Sequence, residues 1–223
     1  MTGPDRRDVL QALTGTLALL AVSGFPAKAA TTDTATAALG SAEPWSTQTL
    51  LAFADTLVPG ERRFPGDVVI AGAVTGPGAV QAGVLGLLGS PLLPLAPLLP
   101  SLASLLDARA VAYATLHLIW LPPDRPPFVG LSFRHRTALV GELFDEGGPD
   151  LPVWQVLALL VGLAFDTAAA SDTAHAAAEG HPGLAWIGFP PPGPDGLWRF
   201  PDFTYGRALA ALHPATTPSG SPA

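Results

Sequence analysis

Read for its alternation of apolar and polar positions, the chain is a set of helical stretches cut apart by proline and glycine. Ser46 stands as an N-cap, and Leu50, Leu51, Ala54, Leu57 and Val58 recur at helical spacing until Pro59-Gly60. A short helix fits around Ala79–Leu88. The clearest helix runs from Ser101 to Leu121, with Leu102, Leu105, Leu106, Arg109, Ala112, Tyr113, Leu116 and Trp120 on one face and Pro122-Pro123 as its stop. Ser132 caps a further helix through Phe144. Asp150 caps the next, with Pro152 in the first turn, where proline is tolerated. Its run VWQVLALLVGLAF is apolar almost all round, which predicts the central helix, continuing more weakly towards Ala178. Gly180 and Pro182 stop it. The expectation is a mainly α fold: a compact bundle of about five helices with long Pro/Gly-rich loops and an irregular aromatic C-terminal arm.

Between these elements the chain departs from an ordinary helical domain. Val68–Leu106 carries no charged residue, and Ser90–Pro100 places a proline at every third position. That spacing suits a polyproline-like segment or a chain of tight turns. The stretch reads as buried core or as an apolar face against a partner or the membrane surface. The segment Glu179–Arg207 holds Trp186, Phe189, Trp198, Phe200, Phe203 and Tyr205 among six prolines. So many prolines bar a long helix or a central strand, and so many rings do not suit a solvated tail. The segment reads as a stiffened arm that docks its rings on the domain or on a partner. Stacking of exposed rings on sugars is a further reading, but the rigid sheet it needs is not apparent.

The N-terminus changes the picture. Arg6-Arg7 precede an apolar run from Val9 to Val22, and Ala27-Lys28-Ala29 offers small residues for cleavage. The arginine pair with Val9-Leu10 resembles a twin-arginine export signal, with an ordinary secretory signal or a retained anchor helix as the alternatives. The apolar run falls short of the roughly 20 residues that span a bilayer. The domain reading is therefore 1–29 signal, 30–45 linker, 46–179 helical domain, 180–212 arm and 213–223 tail. The expected location is the periplasm or the cell exterior, reached through the twin-arginine export machinery. That route carries proteins already folded, including subunits that travel attached to a cofactor-bearing partner.

Composition narrows the chemistry. A net charge of −7 without a basic stripe argues against nucleic acid. The absence of cysteine excludes disulfides, thiolate zinc sites, Cys-ligated clusters and covalent c-type haem. Neither a Gly-rich dinucleotide fingerprint, a Walker loop nor a GxSxG elbow occurs. Asp172, His175 and Glu179 share one helix face and His181 follows, so these four are the metal candidates, set against solvated polar residues on an exposed face. Asp55 reads as a surface acid or as a partner of the Glu61–Asp67 loop. His117 reads as a core-edge histidine. Arg134 and Arg136 lie in a first helical turn that disfavours cations, which suggests a solvated patch or an acid elsewhere to pair with.

The helix ending Ala54-Asp55-Thr56-Leu57-Val58-Pro59-Gly60, the apolar PG-containing stretch after it and the GHPG…GFPPP segment resemble the small subunit (subunit 3) of gluconate 2-dehydrogenase-type flavoprotein dehydrogenases, as a divergent branch. The resemblance covers the signal, residues 46–80 and residues 180–192. It implies a noncatalytic accessory subunit that binds, helps mature and co-exports an FAD-dependent large subunit of the glucose–methanol–choline type. The FAD would sit in the partner, and membrane association would come through the complex only. The resemblance supplies no catalytic residues. Two other readings stand beside it: a stand-alone exported metal-dependent enzyme, and a binding protein for an apolar ligand.

Overall fold

A computed structural model describes residues 43–93, 95–145, 150–196 and 198. Among these the chain forms eight helices and no strand: α1 Trp45–Leu57, α2 Val84–Leu88, α3 Leu99–Leu116, α4 Pro127–Gly130, α5 Phe133–Asp145, α6 Leu151–Thr167, α7 Thr173–Ala178 and α8 Pro182–Trp186. The mainly α fold with long irregular connections is as expected. The larger helix count comes from α4 and α8, inside stretches read as loop and arm, and from the last long helix being split into α6 and α7.

The central helix is α1, not α6. Every residue from Thr49 to Thr56 is buried, so all sides of the helix are covered. It packs against α2, α3, α4, α5 and α6. Ala52 and Ala54 keep it slim enough for its neighbours to close in. Although α6 is the more apolar helix, it buries one stripe, Val153, Trp154, Leu157, Leu160, Val161, Ala164 and Phe165, and leaves Leu159 exposed. Phe53 of α1 and Trp154 of α6 meet with ring centroids 6.0 Å apart. Trp45 opens α1 one residue before the expected cap, after Pro44.

Helix α3 ends five residues short of its expected stop. Ile119 N–H reaches back to Ala114 O at 2.8 Å, and Leu118 takes a left-handed φ of 55°. This is the usual closure of a helix C-terminus, with leucine where glycine normally stands. The buried face of α3 is also rotated from the expected one. It consists of Leu102, Ala103, Leu106, Ala110, Tyr113 and Ala114, so alanines rather than the larger Leu116 and Trp120 meet the core. Small residues at the contact permit the close approach of α1.

The proline ladder resolves into successive turns. Leu93 N–H bonds Ser90 O at 2.9 Å and Leu98 N–H bonds Leu95 O at 2.7 Å, with Leu93 and Leu95 buried and Leu92 exposed. Helix α6 does not run on to Ala178. Ala168, at a φ of 50°, ends it, and α7 restarts with Asp172 as N-cap, accepting His175 N–H at 2.9 Å. The arm begins with α8. Its Gly183 lies where the carbonyl of Phe165 would occupy the place of a side-chain methyl, so α8 seats directly on the backbone of α6. Among the described residues no helix is long and apolar enough to cross a membrane.

Candidate functional site

The ionisable groups of the core converge on one loop, residues 67–71. Asp55 sits at the end of α1, 1% exposed. Its Oδ1 accepts Gly60 N–H at 3.1 Å and its Oδ2 accepts Ala71 N–H at 2.8 Å. Asp67 accepts the N–H groups of Val69 at 3.0 Å and Ile70 at 3.3 Å, and takes two bonds from Arg63. Arg136, on α5 and 3% exposed, donates to Val69 O at 2.7 Å, Val68 O at 2.9 Å, Leu131 O at 3.0 Å and Val129 O at 2.6 Å. Arg62 Nε donates to Ala71 O at 3.2 Å. The loop's backbone is thus held through both its donors and its acceptors, as buried peptide groups require.

The electrostatics follow from that burial. Desolvation pushes the Asp55 carboxyl above its usual value, partly opposed by the N–H groups of Ala71 and Gly60 and by the charge of Arg136. Desolvation also acts on Asp67, but the Arg63 bonds and the Ile70 and Val69 N–H groups together outweigh it and hold the carboxyl low. Burial lowers Arg136 to about 10, with Asp55 and Asp67 drawing it back. A half-buried acid, Asp107 of α3, accepts Phe128 N–H at 3.0 Å and Thr49 Oγ1–H at 3.0 Å, tying α4 and α1 to α3. Burial raises its pKa too.

Two PG turns explain the spacing of the sequence motif. Segments 58–61 and 76–79 run side by side, with Ala79 N–H on Val58 O at 3.1 Å and Glu61 N–H on Gly76 O at 2.8 Å. A Cβ on Gly60 would lie 2.6 Å from Gly78 N, and one on Gly78 would lie 2.6 Å from Val58 O. Gln81 closes the pair, accepting Gly78 N–H at 2.9 Å and donating to Glu61 O at 2.6 Å. The acid of Ala54-Asp55 and the glycines of Pro59-Gly60 and Pro77-Gly78 therefore make one structural unit.

The metal candidates are not brought together. Asp172 is spent as the cap of α7, and His175 pairs with Glu179 at 3.2 Å on an exposed surface. His181 uses both ring nitrogens, Nδ1 accepting Leu184 N–H at 3.3 Å and Nε2 facing Ala82 O at 3.1 Å. It pins the arm to the turn before α2. Among the described residues no His/Asp/Glu group could hold a metal ion.

Of the ring-bearing candidates, Trp186 and Phe189 are exposed, although the six-membered ring of Trp186 covers Gly76. Trp198 packs edge-on to Phe189 with centroids 5.6 Å apart and donates Nε1–H to Pro190 O at 2.8 Å. Phe200, Phe203 and Tyr205 lie outside the described residues, as do Arg6 and Arg7.

Sequence reasoning missed the most exposed apolar group. Leu116 is 78%, Leu118 93% and Trp120 76% exposed, all at the turn that ends α3. Periodicity placed Trp120 in the core because the helix was carried on to Leu121, and Leu116 because the buried face is rotated from the expected one. Arg136 was also hidden, since a cation in a core register is disfavoured unless backbone carbonyls surround it. At the same end of α3, the ring of Tyr113 lies tilted by 38° against His117 with centroids 4.2 Å apart, and its hydroxyl lies 3.3 Å from His135 Nδ1. His117 itself is exposed rather than at the core edge.

The class defined by this architecture is an all-helical domain whose buried charges are spent on fixing its own loops, with an apolar turn and an aromatic arm at its surface. Residues 44–223 match a family described as "Family of unknown function (DUF5987)", and the chain belongs to that family. No curated protein and no solved structure matches it.

Proposed function

We propose that this chain is an exported accessory subunit that binds, helps mature and co-exports an FAD-dependent oxidoreductase of the glucose–methanol–choline type. The observation that carries the reading is the turn Leu116–Leu118–Trp120. Three large apolar side chains stand in solvent there, on a backbone that holds Leu118 at a φ of 55°. A left-handed leucine costs roughly 1 kcal/mol, and exposing it gains nothing for the isolated domain. Contiguous exposed apolar groups mark interaction sites, and tryptophan is prominent among residues that anchor interfaces. Trp186 and Phe189 add a second exposed group on the arm.

The reading also rests on the export-type N-terminus and on the Asp55–Gly60 motif. The test is co-expression with a flavoprotein dehydrogenase encoded beside it, followed by copurification and fractionation. The expected result is a stable complex in the exported fraction. It is lost from that fraction when Arg6 and Arg7 are both replaced by lysine. A chain that remains monomeric beside the flavoprotein, or a flavoprotein exported equally well without it, defeats the proposal.

A further inference from the structure

The loop that Asp55 and Arg136 hold forms one wall of a cleft of about 480 Å³. Its other wall is the α4–α5 junction; Phe133 there and Val68 on the loop present apolar surface, while Ile70, Val129 and Leu131 lie buried behind them. Three guanidinium groups line it: Arg62, Arg125 and Arg136. The described residues contain six arginines, so half of them meet here, in a chain whose net charge is −7. The acid in the lining, Asp67, is already neutralised by Arg63 at 2.7 Å.

The three cations have different roles. Arg136 has committed its N–H groups to four carbonyls, and no carboxylate among the described residues lies within ion-pair distance of it. It therefore supplies positive potential rather than free donors. Arg62 spends only its Nε on Ala71 O and has no ion pair among the described residues, so its terminal N–H groups are available. Arg125 is paired with its chain neighbour Asp124 at 2.8 Å, but that carboxylate is 65% exposed. Exposed pairs of this kind are worth little and exchange readily for a better-placed anion.

We infer that this cleft binds a carboxylate carried on an apolar body. The guanidinium forks of Arg62 and Arg125 match a carboxylate's planar geometry, and the exposed Val68 and half-buried Phe133 offer apolar contact to the body behind it. The volume falls within the range of small-molecule sites. The site stands independently of the partner proposed above, because it is built from loop 62–71, Arg125 and the α4–α5 junction.

Two sources can present this group: a free organic acid, and an acidic side chain flanked by apolar residues in a protein. The experiment titrates the full chain with octanoate, with octanol, and with N-acetyl-leucyl-aspartyl-leucine amide, read by calorimetry and by amide shifts of residues 62–71 and 129–136. Octanoate binding tighter than the peptide identifies a free acid, and the reverse order identifies a protein-borne carboxylate. Either should weaken about tenfold or more in R62A/R125A, the loss expected for one charge-assisted contact. R62A also removes the bond to Ala71 O, so R125A alone, which keeps that bond, is measured beside the double variant and should itself weaken binding at an unchanged melting temperature. Equal binding of octanol, unchanged affinity in the double variant, or the absence of binding by both acids overturns the assignment.

Discussion

Asp55 and Arg136 grip the same loop without touching each other: the carboxylate takes the Ala71 N–H at 2.8 Å while the guanidinium binds the Val69 carbonyl at 2.7 Å. One residue comes from the end of α1 and the other from the first turn of α5. The loop between them is the piece of chain that joins the two helices to the cleft. Arg136 is satisfied by geometry more than by charge, since all four of its partners are neutral carbonyls. Replacement by lysine keeps the charge and loses the fork. R136K should cost about 2–4 kcal/mol in urea unfolding, since buried carbonyls lose their donors. R136M should cost more, and a loss below about 1 kcal/mol in either variant would contradict this role.

The two acids that hold the loop should show opposite pH behaviour. The Asp55 pKa is raised by folding, so its contribution is fully present below the ordinary carboxylate range and is lost as pH rises through the raised value. The stability of the native sequence relative to D55N should therefore fall with rising pH over that window and then level off. The Asp67 pKa is lowered, so its contribution is present above the ordinary carboxylate value and is lost as pH falls through the lowered one. The stability difference from D67N should shrink on acidification. Parallel slopes for the two variants in urea titrations between about pH 3 and pH 7 would refute the assignment.

The facing turns at Gly60 and Gly78 leave no room for a methyl group on either side. A Cβ on Gly60 would also stand 2.5 Å from Gln81 Oε1. G60A and G78A should each destabilise by about 1–3 kcal/mol through overpacking. Gly141, in the middle of α5, has nothing within 4 Å of the corresponding position. G141A should instead stabilise by roughly 0.5–1 kcal/mol, through helix propensity. Thermal melts of the three variants give the comparison directly.

Leu118 separates stability from binding. Its φ of 55° suits glycine, and its side chain is 93% exposed. L118G should raise stability by about 1 kcal/mol, since the left-handed strain disappears and no packing is lost. If the turn docks on a flavoprotein, as proposed, the same variant should copurify less of it, and L118G/W120S less still. A destabilised L118G would show that the leucine is held by contacts the exposure does not reveal.

The helical character of the fold was legible from periodicity, and so were the starts of α5 and α6, because Ser132 and Asp150 mark them in the sequence. The end of α3 was not. A proline pair at Pro122-Pro123 looks like a stop, whereas the true stop is a left-handed leucine that no local signal announces. The central position of α1 was also obscured, because hydrophobicity favours α6 while burial depends on how many neighbours surround a helix. For Asp55, the sequence left open a solvated acid and a partner of the Glu61–Asp67 loop; the structure shows neither, but a buried carboxylate that takes the N–H groups of Gly60 and Ala71, on either side of that loop. The four metal candidates shared a stretch of sequence but not a direction. Caps and backbone bonds at Asp172 and His181 absorbed their polar atoms first. The clustering of Arg62, Arg125 and Arg136 was invisible in one dimension, since the three belong to separate segments.

The bond from Arg136 to Val69 joins residues 67 positions apart in the chain. The loop beside the central helix is therefore completed only once α5 is present. Such distant closures are entropically slow, so folding should be limited by the arrival of α5 rather than by helix formation. During synthesis the first helices wait, apolar and uncovered, until residue 136 has left the ribosome. That interval is when a nascent chain of this kind most needs a chaperone.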